Sequence, residues 1–189
     1  TAISLGDATL ADGATLTAGA GAANQIDLDA ITGTAGSTAS NLTINSTGAV
    51  TVAEAVGTDI GTVTVTQSGG TTFTGNVAAG TSVVLTDTTG TIAFSSDLTT
   101  PTLTTAGQGY GVSLLGGSTI TNLATFSNTG TTQIGDATGD TNTFNGGVTA
   151  TAGAVTAAGS VVTSTDDIAL GAVTLVDGQN LTLDTANSG

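Results

Sequence analysis

The chain is written in short runs in which an aliphatic residue alternates with threonine or serine. Val63 and Val65, for example, alternate with Thr62, Thr64 and Thr66. A period of two puts the aliphatic residues on one face of an extended strand and the hydroxyls on the other. Such runs, among them IDLDAI, NLTINS, TVTVTQ, TIAFSS and NLTLDT, recur at roughly 8 to 12 residues with Gly, Asn, Asp or Ser between them. No segment carries apolar residues at i, i+3, i+4 and i+7, and threonine and glycine disfavour helix throughout. The expectation is an all-β fold with essentially no helix.

Evenly spaced short strands fit an antiparallel β-sandwich or a parallel β-solenoid. Asp12-Gly13, Asn145-Gly146 and Asp177-Gly178 would suit the hairpins of a sandwich. A sandwich core usually holds aromatic side chains, however, and this chain has four Phe, one Tyr and no Trp. A narrow solenoid is filled by stacked layers of small aliphatic residues, which this sequence supplies. We therefore expect one parallel β-solenoid over residues 1–189, with the sandwich as the alternative. At three strands and roughly 20 residues per coil it would have about nine coils and, at ~4.8 Å per coil, a length of about 45 Å. The single Pro, the single Glu54 and the abundance of β-branched residues argue against disorder.

Longer-range similarity is also present. AISLGDATLADGATLTAGAG near the start and IALGAVTLVDGQNLTLDTA near the end align without a gap, Ile3 on Ile168, Leu5 on Leu170 and Leu10 on Leu175. Their shared motif, apolar-Gly-x-x-Thr-apolar, begins at Leu5, Ile60, Leu115 and Leu170, with the same interval between each start and the next. Regular spacing predicts a modular, repetitive origin.

Charge excludes several partners. The chain has 14 acidic residues, no Lys, Arg or His, and a formal charge of −14. Phosphate recognition needs cations, so nucleic acid and anionic membrane surfaces are not expected partners. No run of about 18 apolar residues is available for insertion into a bilayer. Intramolecular ion pairs are impossible, and the excess charge keeps copies apart in solution. Cysteine is absent. The start shows no basic segment followed by an apolar run, and the sequence is expected to be a processed or excised piece of something longer.

Catalysis is not expected. Asp166-Asp167 is similar to the adjacent aspartates of pectin-hydrolysing β-helices, and paired carboxylates are the usual means of glycoside hydrolysis. Those enzymes also hold acidic sugars with His, Arg and Lys, and this chain has none. Hydroxyl nucleophiles likewise lack a His or Lys base. A polysaccharide-binding or polysaccharide-degrading module is the alternative reading.

Metal has one candidate. The stretch DATGDTN places Asp136, Thr138, Asp140 and Asn142 at alternate positions, which in a loop can direct four oxygens at Ca²⁺. It lacks the sixth-position Gly and the distant Glu of an EF-hand, and a polar turn between coils is the plainer reading. No cofactor is required. Asp27 and Asp29 fall on one strand face, where a cation or solvent would balance them.

Threonine pairs suggest another class. Flat β-solenoids with a Thr-x-Thr pair in every coil bind ice, and this chain has such pairs starting at Thr15, Thr62, Thr72, Thr86, Thr102 and Thr163. Their uneven spacing predicts that they do not line up in one regular file, and ice binding stands as a second alternative.

The segment DDIALGAVTLVDGQNLTLDTANSG, from Asp166 to Gly189, resembles the repeats of large secreted bacterial adhesins of the filamentous haemagglutinin type. In those repeats DIxLGxVT, a Gly-containing turn and xLTLxT recur. Gly109 to Gly153 is similar to another module of such giant proteins. The resemblance implies a right-handed parallel β-helix, exported to the cell surface as a stalk, fibre or adhesive rod. Exposed strand edges at the coil ends, and the similarity of the two ends, predict that the chain stacks on itself, as an end-to-end homopolymer or as successive repeats, with a cell-surface carbohydrate or protein receptor as a further partner.

Overall fold

The computed structural model describes residues 2–185. Within them the chain forms 26 β-strands and no helix. The strands make three parallel sheets of nine, nine and eight strands, here called A, B and C. The first coil shows the plan. Ala2–Leu5 opens sheet A, Ala8–Leu10 opens sheet B and Thr15–Ala18 opens sheet C. The chain then returns to sheet A at Gln25–Leu28, in parallel register with Ala2–Leu5. Winding continues in this way for nine coils, so the expected parallel β-solenoid is the fold. Among the described residues no antiparallel pair of the alternative sandwich occurs.

Alternation decides what faces inward. On sheet A one interior column runs Leu28, Val52, Phe73, Phe94, Leu114 and Ile134, each in register with the next. All six are buried. Each such side chain removed from water contributes roughly 1.5–3 kcal/mol. Phe73 and Phe94 stack with ring centroids 4.9 Å apart and planes 4° from parallel. Where sheets B and C converge, Phe144 and Phe126 meet edge to face at 6.3 Å. A few aromatic rings therefore fill the interior at two levels.

Coils differ in length. The step from one sheet A strand to the next is shortest from Val155 to Val173 and longest from Ile26 to Val50. Corners absorb most of the difference, and the sheet C strands Ser40–Asn45 and Ile60–Gln67 shift register at two irregularities, at Ser40/Asn41 and Ile44/Asn45. The structural coil is thus a shorter repeat than the interval between motif starts. Leu5 ends a sheet A strand and Leu115 follows one, whereas Ile60 and Leu170 lie in sheet C.

The corner where sheet C returns to sheet A has its own signature, a small polar residue two places before glycine. The Ser46, Ser68 and Thr88 side chains turn inward, and their hydroxyls accept the N–H of Gly48, Gly70 and Gly90 at 3.1, 3.3 and 3.3 Å. One coil step links them directly, Thr88 donating to the Ser68 carbonyl at 2.6 Å. Asn128 continues the series, its amide donating to the Tyr110 carbonyl and to the Thr132 hydroxyl, both at 3.2 Å. At Gly130 the neighbouring coil comes so close that a Cβ would overlap the Tyr110 carbonyl.

Tyr110 occupies this corner at the entry to the sixth coil. Its hydroxyl donates to the Leu85 carbonyl at 2.7 Å and accepts the Ala106 N–H at 2.9 Å. Burial pushes the phenol above its ordinary pKa, the Ala106 N–H pulls it partly back, and Asp87 adds a smaller push. Removing the hydroxyl loses both bonds, although the Ala106 N–H and the Leu85 carbonyl also pair with each other at 3.0 Å. Tyr110→Phe should therefore cost about 0.5–1.5 kcal/mol, read as a lower urea midpoint at unchanged slope. Gly130→Val should cost at least as much, because the coils must separate to admit it. An unchanged midpoint in both variants would contradict this corner geometry.

Candidate functional site

The acidic residues are sorted by face. Seven of the 14 sit in turns between sheets A and B, namely Asp7, Asp29, Glu54, Asp97, Asp136, Asp140 and Asp177. Asp27 lies on a sheet A strand and Asp184 on a sheet B strand, but among the described residues no sheet C strand carries a charge. With no cation available, several carboxylates hold the backbone of the next coil instead. Asp12 accepts the N–H groups of Thr38 at 2.9 Å and Ser37 at 3.3 Å, and Asp97 accepts the Gly117 N–H at 3.1 Å. These bonds span one coil step and tie corner to corner.

The DATGDTN stretch is divided rather than gathered. Asp140 folds back to accept the N–H groups of Asp136 and Ala137, both at 2.8 Å. Thr138 leans along the rod, its N–H and hydroxyl donating to Gln179 Oε1 at 2.7 and 2.8 Å. Asn142 belongs to the sheet B strand Thr141–Phe144, whose pleat turns it into the interior, fully buried. There it stacks between Ser118 and Val161. Neither its amide nor the Ser118 hydroxyl has a protein partner. The alternate spacing would converge on a cation in a continuous loop, but its last two residues, Thr141 and Asn142, belong to a strand. Only Asp136 and Asp140 face each other. Burial, the Asp140 charge and a hydrogen bond to Asp140 raise the pKa of Asp136, opposed by its own backbone N–H. Among the described residues no three His, Cys, Asp or Glu side chains gather to hold a metal.

The remaining acidic candidates are also separate. Asp27 faces outward from its strand and takes a hydrogen bond from Gln25 at 3.2 Å, while Asp29 lies past the strand end. Asp166 and Asp167 are exposed in the turn before Ile168–Leu170.

Three of the six threonine pairs share one face, and the other three lie elsewhere, as their uneven spacing predicts. Thr15-Leu-Thr17, Thr62-Val-Thr64 and Thr102-Leu-Thr104 all lie on the outer face of sheet C, in shared register. They line up because coil lengths are as uneven as the sequence spacing. One file runs Thr15, Asn41, Thr62, Ser82, Thr102. A second, two residues along each strand, runs from Thr17 through Thr43, Thr64, Val84, Thr104 and Thr125 to Thr149. Thr72 belongs to sheet A, Thr86-Asp-Thr88 begins the CA corner, and Thr163 ends a sheet B strand.

A groove that the sequence did not signal runs beside this face, at the corner from sheet B to sheet C. Its volume is about 460 Å³, and Asp59, Ile60, Ala79, Thr100 and Pro101 line it. Thr58 and Asp59 are held at φ of 47° and 61°, a left-handed pair that non-glycine residues seldom adopt. Such tight turns are invisible to apolar patterning.

None of the family models, curated proteins or solved structures compared with the chain matches it.

Two substitutions separate structural from ligating roles in DATGDTN. Asn142→Leu replaces an unpartnered buried amide by an apolar group of similar size and should raise the melting temperature. A fall would mean that the amide has a stabilising partner. Asp136→Asn should stabilise near neutral pH. The raised folded-state pKa means that this carboxyl favours folding when protonated, and that its contribution is lost as pH rises through the folded value. The gain should vanish as pH falls below about 4, the ordinary carboxylate range. Thermal melts of both proteins across that pH interval check it.

Proposed function

We propose that this chain is a non-enzymatic structural segment of an extracellular rod or fibre, an adhesin stalk at a bacterial surface, that stacks end to end through its coils. The observation that carries the reading is the state of the two terminal coils. Interior columns run on to both ends, where Ile3, Val173, Leu175 and Leu183 are 36%, 38%, 52% and 53% exposed. Each is a side chain that the next coil would cover, and each end presents strand edges with unpaired backbone groups.

The similar stretches at the two ends support the reading further. They form the same succession of strands, but Ile3 and Leu5 lie in sheet A whereas Ile168 and Leu170 lie in sheet C. A second copy turned by one face would lay Ile3, Leu5 and Leu10 over Ile168, Leu170 and Leu175, like on like. The resemblance of Asp166–Gly189 to adhesin repeats points the same way. Absence of His and Lys leaves the hydroxyl side chains without the usual base, and absence of Arg, His and Lys leaves the carboxylates without the cations that hold acidic sugars. In this reading calcium, where present, neutralises the acidic AB edge, and a receptor or carbohydrate at the cell surface is the target of the whole assembly.

Sedimentation velocity over a concentration series tests the stacking. The chain should form a ladder of lengthening rods, and Leu175→Asp with Leu183→Asp should hold it at single rods. A wild-type chain that remains one rod at every concentration, with circular dichroism showing it folded, would overturn the stacking. Addition of calcium and then chelator to the same samples reads any contribution of the acidic edge.

A further inference from the structure

The outer face of sheet C combines three features. It has no charged strand residue in a molecule of formal charge −14. It carries two parallel files of mostly Thr, Ser and Asn. In the second file the threonine hydroxyls, such as those of Thr17, Thr64 and Thr104, make no hydrogen bond to the protein among the described residues. By contrast the first file is tied along the rod, Asn41 Oδ1 accepting the Thr62 N–H at 3.0 Å and the Thr62 and Ser82 hydroxyls meeting at 3.4 Å.

Geometry makes this a two-dimensional lattice. Successive residues of a file are one coil apart, about 4.8 Å, and the two files are two strand residues apart, about 6.6–6.8 Å. β-Branched threonine is held in few rotamers, so its methyl and hydroxyl stay in place. Both spacings lie close to those between oxygen atoms on exposed planes of hexagonal ice.

We propose that sheet C is an ice-binding face. Hydroxyls of the second file join the surface layer of the lattice as donors and acceptors, and the threonine and Val84 methyls sit over its openings. Each contact is weak, but many form at once on a rigid face, so their effects multiply. Charge distribution favours the same occupant. An ice surface is neutral, and a carboxylate on the docking face would hold a hydration shell that the lattice cannot share. Seven of the 14 carboxylates lie instead at the AB corner, on the opposite edge of the three-sided coil, and Asp12, Asp59, Asp87, Asp166 and Asp167 stand at the two edges of sheet C rather than on its strands. This inference does not depend on end-to-end stacking.

The test uses the full chain and a slowly advancing ice front. Wild-type protein should be taken up into the ice and should slow recrystallisation, whereas a non-binding protein control stays in the liquid. Thr64→Lys with Thr104→Lys should lose both effects, and Thr72→Lys, on the outer face of sheet A, should keep them. Circular dichroism confirms that the double variant folds, and Thr104→Tyr, a neutral obstruction, supplies a second disruption of the same face. Exclusion of wild-type protein from the ice overturns the proposal, as does equal uptake of wild type and both sheet C variants. Side-by-side dimers or retention on a neutral polysaccharide, abolished by the sheet C variants without any ice uptake, would assign the face to that partner instead. Sedimentation of the same variants reads stacking separately, so loss of ice uptake leaves the rod reading intact.

Discussion

Everything in this molecule depends on one strand lying in parallel register on the strand one coil before it. Backbone hydrogen bonds set the step between coils, and the pleat sends alternate residues inward in columns. A column tolerates Val, Leu, Ile or Phe at any level provided its neighbours above and below complement it, as Phe73 and Phe94 do by stacking. The same register forces coils together at the corners, which is why Gly130 has no room for a side chain. Interior packing and corner chemistry are two consequences of one repeat.

Electrostatics are arranged around that repeat without any cation. Carboxylates at the corners accept backbone N–H groups of the following coil, as Asp12 does from Ser37 and Thr38. They take part in the stack while the acidic edge stays in solvent. Sheet C, free of charge, is the face that a neutral, extended partner can approach. Rod ends and lateral face are therefore separate surfaces with separate chemistry, the first apolar and the second hydroxylated.

The period-two alternation and the small aliphatic interior made the solenoid legible, and the rhythm of strands and turns made its nine coils legible. The Ser/Thr/Asn-x-Gly series at Ser46, Ser68, Thr88 and Asn128 was there to be read and marks the coil better than the widely spaced motif at Leu5, Ile60, Leu115 and Leu170 does. The DATGDTN stretch misled for a definite reason. Alternate spacing implies convergence only where the backbone stays a loop, and Thr141–Phe144 pairs as a strand that rotates Asn142 into the core. The threonine pairs were legible only in part. Those at Thr72, Thr86 and Thr163 fall off sheet C as their uneven spacing predicts, whereas those at Thr15, Thr62 and Thr102 share a register because coil length varies along the rod.

What the sequence determined by itself was local: strand rather than helix, small aliphatic residues inside, hydroxyls outside, and no cation to bind phosphate or pair with carboxylate. These follow from residue type and near-neighbour spacing, which the chain carries wherever it folds. Tertiary structure alone decided which residues become neighbours across coils. That choice depends on how many residues each corner loops out, a length that no local pattern records. It put Thr17, Thr43 and Thr64 in one file, parted Asp136 from Asn142, and left one face of a strongly acidic molecule without charge.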